Sequence, residues 1–232
     1  MNVLAWVAHF VAAGLLLTPV QIASPALGSV SGELTLLERP GAVRNDIAGA
    51  VIYLQPIDVR DDGEPGTVPT ESIIAMRGRE FLPHTTVVRL GGVVRFPNQD
   101  PFSHNVFSNT APVSFDLGLY RRGATREATF GEAGVYPIYC NIHAKMVSYV
   151  ITVPTRHVTR ADAAGRFVLG DVPVGAYRVH VWHERAARVA QDITTAASGT
   201  TVKLTLDARG YVPGAHLNKF GMPYAASRAD RY

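Results

Sequence analysis

Cys140 is the single cysteine among 232 residues, and it stands in the run Tyr139-Cys140-Asn141-Ile142-His143-Ala144-Lys145-Met146. A thiol, an imidazole and a thioether therefore fall in the spacing Cys-x2-His-x2-Met. A second imidazole, His104, lies upstream in Phe102-Ser103-His104-Asn105-Val106-Phe107. One thiolate, two imidazoles and one thioether make the ligand set of a mononuclear blue copper centre. The thiolate is soft and electron-rich, the imidazoles suit both copper oxidation states, and the thioether serves as a long, weak axial donor. Such a mixed set compromises between the geometries the two states prefer, so little rearrangement accompanies the gain or loss of one electron.

Taken singly, each residue has a plainer reading. A lone cysteine is usually a small buried hydrophobe, and a methionine fills gaps. The conjunction weighs against that. Gly134-Val135-Tyr136-Pro137-Ile138-Tyr139 precedes the loop and Val147-Ser148-Tyr149-Val150-Ile151-Thr152-Val153 follows it. Both read as strands, so the loop is the tip of a hairpin that can hold its three donors together.

From Ser72 to Pro154, about a third of the chain, the sequence resembles a cupredoxin of the plastocyanin/amicyanin type. The likeness rests on Phe81-Leu82-Pro83, Gly92-Val93-Val94-Arg95-Phe96-Pro97-Asn98-Gln99-Asp100, Ser103-His104-Asn105-Val106-Phe107-Ser108, and Gly134-Val135-Tyr136 leading to the Cys-His-Met loop. The two-residue gap between His143 and Met146 is similar to the short amicyanin loop. The resemblance implies one copper ion held by His104, Cys140, His143 and Met146, with Asn105 bracing the cysteine loop by hydrogen bonding. It also implies that the exposed edge of His143, rimmed by Ile142, Ala144 and Lys145, is the electron port. Chains of similar architecture include methylamine-utilization and plastocyanin-like proteins. A dehydrogenase, a cytochrome c and a copper enzyme remain open as the redox partner docking near His143.

The rest of the composition agrees with a β protein. Hydrophobic residues make up 47% and charged ones 18%, enough apolar surface for a core. Twenty-one glycines and 15 prolines punctuate short β-branched and aromatic runs, and no long helical periodicity follows residue 30. One cysteine excludes an internal disulfide and a dinuclear thiolate-bridged copper centre. Residues 1–28 carry no Asp, Glu, Lys or Arg, and small residues follow the apolar run at Ala23, Ser24, Ala26 and Gly28. They read as a signal peptide, cut after Ala26 or Gly28, although no basic residue precedes the apolar stretch. An uncleaved N-terminal anchor is the alternative, and only then would a membrane be involved. Either way the folded part is expected in the periplasm or secreted. Net charge is +3. Arg121, Arg122 and Arg126, with Lys145, would form a weakly basic rim that steers an acidic partner. Nucleic acid is excluded for want of a basic stripe interleaved with aromatics.

Along the chain, Val30–Leu37 and Gly49–Leu54 read as strands, Asp61 to Pro69 as a linker, and 70–154 as the copper domain. Thr159–Val179 holds two strands about a Pro/Gly turn. After a polar stretch near Ala196 to Thr200 comes a last strand, Thr201–Leu206. The pieces Asp162-x-x-Gly165-x-Phe167 and Pro173-x-Gly175-x-Tyr177 resemble a carboxypeptidase regulatory-like (transthyretin-like) β-sandwich. The expectation is a discontinuous domain, 29–58 with 155–207, into which the cupredoxin is inserted, since neither piece alone has strands enough to bury two faces. The alternative is that the first two strands extend the copper sandwich. Residues 208–232 are expected to be an irregular tail packed through Tyr211 and Phe220.

Other candidates are set aside. His180 and His183 would point to opposite faces of a strand, and His84, His157 and His216 stand alone. No phosphate loop, nucleophile elbow or His-x-His pair is present. The expected molecule is an all-β, exported electron carrier. It is not an enzyme, because protein fills all four ligand positions. The rival is a copper-delivery module with no redox role.

Overall fold

The computed structural model describes residues 26–40, 47–58, 68–212 and 214–224. The leader up to residue 25, most of the linker expected at 61–69 and the last residues of the tail lie outside them. The expected all-β class holds: the described residues form seventeen strands and no helix.

Two strands come first, β1 (Leu27–Leu37) and β2 (Val51–Pro56). Ten follow in the middle of the chain: β3 (Glu71–Ile73), β4 (Ala75–Arg77), β5 (Glu80–Leu82), β6 (Thr85–Arg89), β7 (Gly92–Pro97), β8 (His104–Ser108), β9 (Phe115–Tyr120), β10 (Thr125–Phe130), β11 (Gly134–Cys140) and β12 (Val147–Val153). The last five are β13 (Val158–Arg160), β14 (Arg166–Pro173), β15 (Gly175–Trp182), β16 (Val189–Thr195) and β17 (Thr200–Asp207). β1 starts at Leu27, which pairs with Pro173, so the strand takes in the last two residues of a leader bounded at 28. β16 is a strand that alternation in the sequence does not reveal. It borders its sheet beyond β15 and is mostly exposed, so no apolar face marks it.

The middle strands make two facing sheets, β10-β7-β3 and β6-β12-β11-β8-β9, beside a β4-β5 hairpin. Between them lies an apolar core that includes Val94, Phe96 and Phe130 from one side and Val106, Ile138 and Cys140 from the other. The flanking strands form sheets β14-β1-β17 and β13-β2-β15-β16 around a separate core, to which both Leu34 and Ile52 belong. β1 runs antiparallel to β14 and parallel to β17, while β2 lies between β13 and β15.

The unbroken apolar run of β2 is buried on both faces, as expected for a strand between two layers. Ile52 and Leu54 point into the flanking core. Val51 and Tyr53, with Trp182 of β15, instead meet Ile151 and Val153 of β12 in a third cluster. The flanking sheet thus packs on the outer face of the very sheet that carries Cys140.

Candidate metal centre

Cys140 ends β11 and Met146 directly precedes β12, so the hairpin closes across the loop. The Cys140 amide donates to the Met146 carbonyl at 3.3 Å, and the Met146 amide to that of His143 at 3.0 Å. His104 opens β8, the neighbour of β11, where Val106 stands opposite Cys140. Strand pairing therefore brings the distant imidazole to the cysteine. The three groups converge: Cys140 Sγ lies 3.6 Å from His104 Nδ1 and 3.6 Å from His143 Nδ1, and all three donor atoms fit within 4.8 Å. Among the described residues no other group of three His, Cys, Asp or Glu side chains comes together so closely. His104 and Cys140 are 0% exposed and Met146 2%, and His143 is partly open to solvent. Met146 shares the core cluster of Cys140.

Asp100 is a further member that spacing does not reveal. Its Oδ2 accepts from His104 Nε2 at 2.8 Å in a buried pair. The proton of the neutral ring is thereby held on Nε2, and the lone pair of Nδ1 faces Cys140. Burial pushes the Asp100 carboxyl up. The amides of Arg79 and Gly78, together with His104, outweigh burial and hold it below its ordinary value. Asn98 anchors this turn: its Oδ1 accepts from the Asp100 amide, and its Nδ2 donates to the carbonyls of Phe102 and Tyr120. The Phe102 ring then packs against both imidazoles, 5.2 Å from that of His104 and 5.7 Å from that of His143.

Asn105 braces the loop as expected, but through its backbone. Its carbonyl accepts from the Asn141 amide at 3.2 Å, while its side chain donates to Asp116. Burial pushes the Cys140 thiol above its ordinary value, and the backbone N–H groups of Asn105, Ile142 and His143 pull the other way without outweighing it.

The arrangement fits a bound metal ion. A thiol has one proton and can donate to only one imidazole at a time, yet two Nδ1 atoms face this sulfur. An ion about 2.0 Å from each nitrogen and about 2.3 Å from sulfur, with ligands about 120° apart, requires nitrogen-to-sulfur separations near ~3.7 Å. Both observed values are close to that. The softness of the donors selects copper over a hard cation.

Other expectations change on contact with the fold. Tyr120 pairs with His104, so the exposed Arg121 and Arg122 do lie at the metal end. Arg126 instead covers the Tyr120 ring at 5.0 Å and donates to the Leu117 carbonyl. β15 stops at Trp182, leaving His183 beyond the strand, and His180 stacks on Tyr53 at 4.6 Å. The tail does not pack through Phe220, which is 71% exposed, while Tyr211 is 37% exposed and its carbonyl accepts from Arg39. It packs through His216, Lys219 and Tyr224, all beside the metal loop.

No family model matches the chain, and no curated protein does. Among solved structures it is similar to a purple cupredoxin from Nitrosopumilus maritimus, at 23% identity over 35% of this chain and 99% of that one, with a TM-score of 0.33. It is similar to amicyanin from Paracoccus versutus at 20% identity, over 44% of this chain and 98% of that one, with a TM-score of 0.34. A copper-containing nitrite reductase from Thermus scotoductus aligns at 21% identity over 52% of this chain and 28% of that one, with a TM-score of 0.35.

Proposed function

We propose that this protein is an exported single-copper electron carrier. The observation that carries the reading is the approach of two imidazole Nδ1 atoms to Cys140 Sγ at 3.6 Å each, inside a buried site. Copper held by His104, Cys140 and His143, with Met146 as weak axial donor, would take up and give back one electron at a time. The chain's own part is to keep the donors still. The Asp100 carboxylate fixes the tautomer and orientation of His104, the β11–β12 hairpin holds Cys140 and Met146, and the Phe102 ring limits the swing of both imidazoles. Apolar packing keeps water from the sulfur.

His143 is the ligand nearest solvent, flanked by Ile142 at 44% exposure. A redox protein docking there needs only a small, transient interface, below about 1,200 Å² in total. A dehydrogenase, a cytochrome c or a copper enzyme suits that role. Burial of the cysteine and the upstream histidine favours retention of the ion, which supports a carrier over a delivery module. The apolar leader supports export, and a junction after Ala26 would leave β1 whole. We also read 29–58 with 155–207 as one discontinuous sandwich, a reading supported by the strand pairing and the separate core.

The test is the visible spectrum after addition of Cu(II). An intense sulfur-to-copper charge-transfer band is expected in the native protein and absent in Cys140→Ser; a native protein with no such band would refute the reading. Copper retained through repeated reduction and reoxidation separates carrying from delivery, which predicts release of Cu(I) to an acceptor.

A further inference from the structure

The last described stretch of the chain, 214–224, lies against the loop that carries Cys140, His143 and Met146, and its contacts reach both ends of that loop. The Tyr224 hydroxyl donates to the Cys140 carbonyl at 2.8 Å. The Lys219 amide donates to Asn141 Oδ1 at 2.9 Å, and the His216 amide to the Ala144 carbonyl at 3.2 Å. The His216 ring stacks on Tyr139, the residue before Cys140, at 4.3 Å, and covers the buried Phe107 from the same side. Its Nε2 is buried without a well-formed hydrogen bond, close to the carbonyls of His143 and Met146. The Lys219 ammonium pairs with Asp116, which also receives the Asn105 side chain, and the Asn105 carbonyl in turn takes the Asn141 amide. A turn about Asn218, whose Oδ1 accepts from the Phe220 and Met222 amides, shapes the segment between these anchors.

A backbone segment without strand pairing pays for such order with conformational entropy of roughly 1–2 kcal/mol per residue. Here the contacts that offset it converge on one loop and on Tyr139, Phe107 and Asp116 beside it. Of the side chains in the segment, the large apolar ones face water, with Leu217, Phe220 and Met222 all more than half exposed. The polar and ring contacts to the loop and to the strands beside it are thus what hold the segment down, and the hydrogen bonds to Cys140, Asn141 and Ala144 hold the loop in turn.

We propose that 214–224 is a strap, with Tyr224, His216 and Lys219 as positioning residues, that keeps the Cys140–Met146 loop in its ligand-presenting shape with or without metal. Its role for copper rests on the reading given above; its grip on the loop does not. A donor set pre-arranged in this way changes little between oxidation states and opens rarely enough to retain its ion.

The test compares the full-length protein with Tyr224→Phe, which removes one hydroxyl and keeps the ring, and with Tyr224→Phe combined with His216→Ala. Amide hydrogen exchange is followed at 141–146 in metal-free protein. Losing one hydrogen bond worth about 1 kcal/mol should speed local opening about fivefold in the single variant, and further in the double, with exchange in the strands that bury Leu34 and Ile52 unchanged. Loop exchange equal to the native protein in Tyr224→Phe overturns the strap, and that single variant decides even if the double loses its fold. In copper-loaded protein, a bidentate Cu(I) chelator should withdraw the metal several-fold faster from both variants. A native protein without a Cys140-dependent band defeats the copper reading alone, since loop exchange is measured without metal.

Discussion

His104 depends on a neighbour that carries no donor to the metal. An imidazole can present either nitrogen, and only an acceptor on the far side decides which one bears the proton. Asp100 provides that acceptor at 2.8 Å while collecting the Gly78 and Arg79 amides. Asp100→Asn would place an amide NH2 against one of these three donors and remove the charge. Copper affinity is expected to fall about 10- to 100-fold, as for other partners that orient metal-bound histidines. Competition against a chelator of known affinity measures it; an unchanged affinity would show that packing by Phe102 suffices to orient the ring.

Among the elements, the turn into β14 shows how a short motif becomes structure. Asp162 Oδ1 accepts from the Ala164 and Arg166 amides, and the Gly165 amide donates to the Asp162 carbonyl. Gly165 takes φ +77°, and a Cβ there would stand 2.4 Å from the Leu34 carbonyl oxygen of β1. That closeness exists because the Leu34 amide donates to the Gly165 carbonyl, stitching the turn to β1. Phe167, two residues on, then enters the flanking core. The Asp-x-x-Gly-x-Phe pattern is thus one device: an aspartate that closes a turn, a glycine that permits it, an aromatic that anchors it. Gly165→Ala is expected to cost about 1–3 kcal/mol from backbone strain and the clash together. Urea unfolding would show it as a lower midpoint, with the metal site's spectrum unaltered because the turn lies in the other core.

Across the entire chain, the two cores meet through the cluster of Val51, Tyr53, Trp182, Ile151 and Val153, and an ion pair joins them at its edge. His84, beside β6, contacts Glu184, after β15, at 2.5 Å. The hydrogen bond to Glu184 raises His84 above its ordinary 6.5, and the same bond lowers Glu184 below its ordinary 4.5. A raised histidine stabilises fully below its unfolded value and loses that contribution as pH rises through its folded one; a lowered carboxylate stabilises fully above its unfolded value and loses it as pH falls. The pair is therefore complete between pH 4.5 and 6.5. Both side chains are partly exposed, so its contribution stays below about 1 kcal/mol. Native protein should lose a small part of its stability on going from pH 6.5 to above the raised value of His84, and Glu184→Gln should lose less over the same interval. Parallel pH profiles for the two proteins, measured by calorimetry, would remove the pair from the account of how the sheets are joined.

The donor types and the short loop spacing were legible because Cys140, His143 and Met146 are neighbours in sequence, and a hairpin between two apolar runs has few ways to arrange them. The same holds for the continuous apolar run of β2, whose only comfortable place is between two layers. Asp100 and Phe102 could have been read in part, as an acid and an aromatic just before His104. His216, Lys219 and Tyr224 could not: a lone histidine in an aperiodic tail looks like any surface residue, and its contact with Tyr139 depends on where folding brings two segments far apart in the chain. The edge strand β16 escaped for a related reason, since a strand with little to bury leaves little alternation behind. Local covalent spacing carries chemistry that neighbours share, whereas long-range packing is settled by the summed burial and pairing of the complete fold, which no single segment encodes.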